Sequence, residues 1–234
     1  MKIIASIFQI GKSYFYDLSA IVKKRPKKRL SLMIKRTFDL VGSSLGIVFF
    51  WPVIFLAGLL IKYNSKGPMM YSQKRVGENG KIFVIHKLRT MTKDAESKTG
   101  PIWAKKGDER IIKGAHLLRR FHIDELPQLF NILKGQMSFV GPRPERPEII
   151  KRFDYNIPNY NKKFNIKPGI TGYAQIRHKY DETIGDVKMK LRYELFYINR
   201  MCLLLDLKIM FATVGAIIAG RDEYKSMIRR LNSA

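Results

Sequence analysis

From Phe38 to Ile61 the chain is apolar almost without interruption, and any fold must find a place for that stretch. As a straight helix it would be roughly 36 Å long, enough to cross a hydrocarbon core of about 30 Å. Three features argue against a simple crossing. Pro52 lies inside the run beside Trp51, removing a backbone donor and kinking a helix. Asp39 stands near its start beside Arg36, a charge that is affordable at headgroup depth. Both flanks are basic, with Lys35 and Arg36 before it and Lys62, Lys66, Lys74, Arg75 and Lys81 after it, so the charge bias puts both ends on the cytoplasmic face. A re-entrant hairpin over residues 35–63 meets all three conditions, with Ser43, Ser44 or protein contacts repairing the lost backbone bonds. A straight single span is the alternative.

The segments around this run point the same way. In residues 1–34, Ile3, Ile4, Ile7, Phe8, Tyr14, Phe15, Leu18, Ile21 and Val22 follow helical spacing, and an acid-free basic cluster from Lys23 to Arg29 follows them. That pattern predicts an amphipathic arm, docked on protein or lying on a membrane surface, with no signal-peptide cleavage site. Near the other end Leu203 to Ala219 is apolar but interrupted by Asp206 and Lys208, so residues 201–234 are expected to form an interfacial helix and tail. With 44 Lys plus Arg against 19 Asp plus Glu, a net charge of +25, the expected partners are anionic: lipid headgroups, nucleic acid or phosphorylated substrates. No helix-turn-helix, RNA-recognition or zinc signature accompanies the basic residues, and nucleic-acid binding leaves the apolar run unexplained. One cysteine, Cys202, excludes an internal disulfide, and His86, His116, His122 and His178 lack zinc-ligand spacing.

Residues 64–200 are expected to form a catalytic domain. Met69–Val76 and Lys81–Arg89 read as strands around Gly77-Glu78-Asn79-Gly80, a hairpin signal. On the second strand Phe83, Ile85, Lys87 and Arg89 share a face, and the two cations could bracket a diphosphate or be a solvated edge. A helix over 111–120 ends in Arg119 and Arg120, just ahead of Asp124 and Glu125. Leu126, Leu129, Phe130 and Leu133 then predict an amphipathic helix ending at Gly135, with Asp124, Gln128 and Asn131 on the opposite stripe facing water or a cleft. Asp is also a preferred helix N-cap, so capping and catalysis stand even at this point. The surroundings favour chemistry: two carboxylates beside cations suit a site in which one serves a divalent metal and the other attacks phosphorus. The rigid Gly141-Pro142-Arg143-Pro144 loop adds further positive charge.

From about Lys35 to Phe211 the chain resembles the bacterial sugar transferases, monotopic polyprenyl-phosphate phosphoglycosyl transferases. The elements that carry the likeness are Arg36-Thr37-Phe38-Asp39, the apolar run with Pro52, Gly67-Pro68, Gln73-Lys74-Arg75-Val76-Gly77, Lys87-Leu88-Arg89-Thr90-Met91, Asp124-Glu125-Leu126-Pro127-Gln128-Leu129, Met137 to Pro144, Lys167 to Gln175 and Leu205 to Ile209. The resemblance implies transfer of a sugar 1-phosphate from a UDP-sugar to undecaprenyl phosphate, releasing UMP, at the cytoplasmic face of the bacterial inner membrane. It implies Asp124 as nucleophile, Glu125 serving Mg²⁺, and Arg119 and Arg143 as phosphate ligands. The other substrate-binding candidates are Lys87, Arg89, Glu145, Arg146, Gln175, Arg177 and Lys179. The chain departs from the family's usual Val-Asn-Gly-Arg after Gln175, so Arg177 and Lys179 compete for the arginine's role, and Lys167 stands where Arg is frequent.

The expected fold is therefore α+β: a small antiparallel hairpin or sheet with several helices, carried on a re-entrant membrane helix-hairpin and interfacial amphipathic helices. Anionic membrane lipids are expected partners beside donor and acceptor, and a homodimer stays open as an assembly. A non-catalytic membrane scaffold would explain the apolar run and the arm, but not the acid pair beside Arg119 and Arg143.

Overall fold

The computed structural model describes residues 28–92, 95, 108–153, 157–177 and 183–220. The amphipathic arm before Lys28, Lys179 and the tail beyond Gly220 lie outside the described residues. The fold is α+β, as expected, and begins with α1, a helix of 37 residues from Lys28 to Asn64 with Pro52 inside it. α1 runs through Pro52 without the break expected of a re-entrant hairpin. Only 17% of its most apolar stretch is buried in the protein. Val48, Phe49, Trp51 and Leu56 are between 58% and 75% exposed, whereas Ala57 and Ile61 pack on Leu88, Ile112, Ala115 and Leu118.

The polar residues near the start of α1 are explained by partners in the protein. Asp39 is buried, and its Oδ1 accepts from Ser138 Oγ and from the Phe139 N–H, each at 3.0 Å. A carboxylate in an otherwise apolar helix is thus satisfied by distant chain and not by Arg36 next door. Arg36 instead donates to the carbonyls of Ile132 at 2.7 Å and Leu133 at 2.9 Å, closing the C-terminal end of another helix.

The hairpin is confirmed: β1 (Met70–Val76) and β2 (Ile82–Leu88) pair antiparallel, with Lys74 opposite Val84, around a 3₁₀ turn at Glu78–Gly80. Asn79 and Gly80 take the positive φ angles that the turn needs, 55° and 75°. After α2 (Ala115–Arg120) comes a 3₁₀ turn, Ile123–Glu125, and then α3 (Gln128–Leu133). The expected single helix from Asp124 is therefore broken, and the N-cap positions of its two pieces fall to His122 and Pro127, not to Asp124. Its polar stripe is also turned inward: Gln128 and Asn131 are buried, while Phe130 and Leu133 are exposed. The cause is the free edge of β2. Asn131 donates to the Val84 carbonyl at 2.7 Å and accepts from the His86 N–H at 3.2 Å, supplying the partner that a third strand would give.

A second sheet was not expected from the sequence. β3 (Ser138–Val140) and β4 (Gly169–Thr171) pair in parallel, Ser138 opposite Gly169 and Val140 opposite Thr171. Gly169 is a glycine because a Cβ there would run into the Gly141 nitrogen and the Thr171 oxygen. β4 thus buttresses the 141–144 loop, with Gly141 N–H donating to the Thr171 carbonyl and Gly169 N–H to the Pro142 carbonyl, both at 2.9 Å. Between β3 and β4 lie α4 (Pro147–Phe153) and a 3₁₀ turn at Tyr160–Asn165, and after β4 come α5 (Tyr173–Arg177), α6 (Ile184–Arg200) and α7 (Leu203–Ala219).

α6 opens with a capping box, Thr183 and Asp186 bonding each other's backbone N–H. Tyr197, Met201, Leu205 and Ile209 join Val140 and Tyr173 in one core that runs across the boundary expected at residue 200. Asp206, which looked like an interruption in an apolar helix, is buried and bound to Lys35 Nζ and Tyr197 Oη, both at 2.6 Å. α7 thus docks by one face, while Phe211, Val214 and Ile218 stay exposed on the other.

Candidate active site

The turn between α2 and α3 sets the site. His122 adopts a left-handed conformation, φ 55°, reversing the chain so that Asp124 and Glu125 follow Arg119 within one tight bend. Glu125 N–H bonds the His122 carbonyl at 3.0 Å, fixing the acidic pair against β2.

Glu125 is buried, and its Oε1 receives Lys87 Nζ at 2.6 Å and Arg143 Nη2 at 3.0 Å. Burial alone would raise its pKa, but Arg143 and Lys87 outweigh that effect and hold the carboxyl below the usual range. Burial in turn lowers the Lys87 pKa, with Glu125 opposing the shift. Asp124 differs. Its Oδ1 is buried with no hydrogen-bond partner. Burial first and the Glu125 charge second push its carboxyl up to about 6, against the pull of Lys87 and Arg119. Two neighbouring acids are thus driven apart, one locked as an anion and one poised to titrate.

Of the expected site residues, Asp124, Glu125, Lys87, Arg119 and Arg143 come together. Arg119 lies beside Asp124 and donates to Thr90 Oγ1 at 3.5 Å. Arg89 goes elsewhere: it is buried, and its guanidinium donates to the carbonyls of Lys66 at 2.8 Å and Ser65 at 2.9 Å just beyond α1. Glu145 turns away from Glu125 to Lys190 Nζ at 2.7 Å and Lys163 Nζ at 3.6 Å, and Lys163 is also 3.2 Å from Glu194. Arg143 and Arg146 each lie close enough to Arg75 to repel it. Gln175 and Arg177 belong to α5, where Gln175 Nε2 donates to the Ile170 carbonyl at 3.4 Å and Arg177 stacks on the Tyr173 ring at 5.6 Å.

Sequence reasoning missed Lys163, Lys190 and Glu194. Lys163 is one of two adjacent lysines in Asn161-Lys162-Lys163-Phe164, and nothing local marks it as the buried one.

The site is thus an acidic pair ringed by cations, on an α+β body that carries a largely uncovered apolar helix. The chain belongs to the bacterial sugar transferase family, whose model matches residues 30–220. It is 39% identical over 187 residues to the UDP-N-acetylgalactosamine-undecaprenyl-phosphate N-acetylgalactosaminephosphotransferase of Aeromonas hydrophila, covering 80% of this chain and 44% of that protein. It is 38% identical over 201 residues to the UDP-glucose:undecaprenyl-phosphate glucose-1-phosphate transferase of Klebsiella pneumoniae, covering 85% and 43% respectively. A protein of the same name from Caulobacter vibrioides is 38% identical over 192 residues, covering 81% of this chain and 72% of that protein. The chain thus spans less than half the length of the first two.

Proposed function

We propose that the chain transfers a sugar 1-phosphate from a UDP-sugar to undecaprenyl phosphate, giving undecaprenyl-diphosphate-sugar and UMP, at the cytoplasmic face of the bacterial inner membrane. This would be the first membrane step of capsule, O-antigen, exopolysaccharide or glycoprotein glycan assembly. The observation that carries the reading is Asp124: a buried, unpartnered carboxylate oxygen beside Arg119, next to a carboxylate already neutralised by two cations. The names of the relatives supply the donor and acceptor classes.

In this reading an Asp124 oxygen attacks the phosphorus that bears the sugar, and the bond from that phosphorus to the bridging oxygen breaks. The bridging oxygen leaves with its electron pair on UMP, and Arg143 shares the developing charge. A phosphate oxygen of the lipid then attacks the aspartyl phosphate, breaking its P–O bond and returning the carboxylate. Glu125 anchors Lys87 and Arg143 throughout.

A divalent ion fits this donor set. Among the described residues no three His, Cys, Asp or Glu gather, so a metal would draw on one or two carboxylates plus phosphate and water, as Mg²⁺ does. Glu125, with Asp124 beside it, would hold the ion, which when bound neutralises phosphate charge.

The re-entrant topology remains our reading of α1. Both of its ends dock on the same body, through Asp39 to Ser138 and through Ile61 to the α2 cluster, while the exposed apolar residues lie between them around Pro52. Single cysteines at positions 30 and 66 in a Cys202→Ser background should both resist an impermeant thiol reagent in intact cells and react after lysis. Labelling of one site alone would establish a straight span.

Mg²⁺-dependent UMP release from a panel of UDP-sugars, with membranes carrying wild type or Asp124→Asn, tests the reaction. Mass spectrometry of the intact protein with donor but no lipid should show an added sugar phosphate that Asp124→Asn lacks. Turnover in Asp124→Asn, or ternary-complex kinetics without adduct, would remove the covalent step.

A further inference from the structure

A donor of the proposed class carries two phosphates, and the site must distinguish them. Arg75 bears on how. In the hairpin register Arg75 lies opposite Phe83 and Tyr71 opposite Lys87, so Arg75 and Lys87 project from one face, about 13 Å apart along the sheet. The Val76 N–H donates to the Glu145 carbonyl at 3.0 Å, tying this end of β1 to the loop that carries Arg143.

Arg75 is half-buried there with little to satisfy it. Its Nη2 donates to Gln73 Oε1 at 2.6 Å, and its Nε is buried with no hydrogen-bond partner. Among the described residues it makes no ion pair. The carboxylate that acts on it, Glu145, is already held by Lys190 and Lys163. Burial, then Arg143 and Arg146, push its guanidinium down to about 10. A half-buried cation crowded by two others and lacking a counter-ion is a place for an anion, and a guanidinium fork suits phosphate oxygens.

The charges also have an order. Arg119 stands with Asp124, Lys87 and Arg143 meet at Glu125, and Arg143 and Arg146 both lie near Arg75. Resting on the transferase reading, we propose that Arg75, with Arg143 and Arg146, forms the subsite for the nucleotide-side phosphate of the donor and for the nucleoside monophosphate that leaves. The sugar-side phosphate then lies against Arg119 and Asp124.

The test is calorimetric titration of UMP into the full chain purified in detergent, with uridine and inorganic phosphate as companion probes and no lipid acceptor. Arg75→Gln should weaken UMP tenfold or more, weaken phosphate in parallel and leave uridine within twofold, since one charge-assisted phosphate contact is lost. Arg75→Lys, which keeps the charge but not the fork, should fall between. Unchanged UMP affinity in an Arg75→Gln protein with a normal melting transition overturns the proposal, as does equal loss of uridine and UMP. If Arg75→Gln does not fold, Arg146→Gln decides by the same criteria. The titration needs no turnover. Arg75-dependent UMP binding without UMP release from any UDP-sugar would sink the transferase reading and keep the subsite. Turnover with product inhibition indifferent to Arg75→Gln would do the reverse.

Discussion

Asp124 and Glu125 are neighbours in the chain with opposite electrostatic fates. Glu125 shares one oxygen between Lys87 and Arg143 and stays ionised, whereas Asp124 keeps a buried oxygen without a partner and rises to about 6.

That difference has a pH signature in stability. The native protein holds a proton on Asp124 that the unfolded chain releases between the ordinary aspartate value of 3.8 and about 6, so Asp124 makes the fold less stable as pH rises through that window. Asp124→Asn removes the penalty. Its melting temperature should match wild type near pH 4 and exceed it above pH 6.5, by the equivalent of about 1–3 kcal/mol. A gap that does not change with pH would contradict the assignment. In the free enzyme, adduct formation should rise with pH through the same region.

Glu125→Gln should act in the opposite direction. It leaves Lys87 and Arg143 facing a neutral amide in a buried site, which costs about 3–5 kcal/mol. Differential scanning fluorimetry in detergent should therefore separate the two acid-to-amide variants, one more stable than wild type at neutral pH and one less.

Lys35 and Asp206, 171 residues apart, form a buried pair at 2.6 Å. Asp206→Ala should cost about 3–5 kcal/mol, because it strands the ammonium and the Tyr197 hydroxyl. In a double-mutant cycle, Lys35→Met with Asp206→Leu should cost less than the sum of the single changes.

Two glycines give a contrast in cause. Gly169→Ala must separate β3 from β4, because the new methyl meets the Gly141 backbone, and a loss above about 3 kcal/mol is expected. Gly80→Ala meets no atom within 4 Å and keeps only the strain of φ 75°, so about 1–2 kcal/mol should be lost.

The sequence made the parts with local signals readable. The β1–β2 hairpin announced itself by its turn, and the acidic pair, Lys87, Arg119 and Arg143 by residue type and spacing. Partners far along the chain were hidden. Asp39 looked like a headgroup-depth charge until Ser138 was seen to bond it, and Asp206 looked like a flaw in an apolar helix until Lys35 reached it. Gln128 and Asn131 read only as a stripe facing water or a cleft, because helical periodicity cannot show that a strand edge needs the Asn131 side chain.

The joint between α1 and the rest of the protein is rigid at both ends: Arg36 and Asp39 fasten one, and Arg89 clasps the carbonyls beyond the other. No tether separates the apolar helix from the acidic pair. If a bilayer seats on the exposed middle of that helix, the reaction centre rides at one fixed altitude above it. A lipid-borne phosphate must then arrive by sliding sideways in the leaflet, and shortening or lengthening α1 by a turn would take the active site out of its reach.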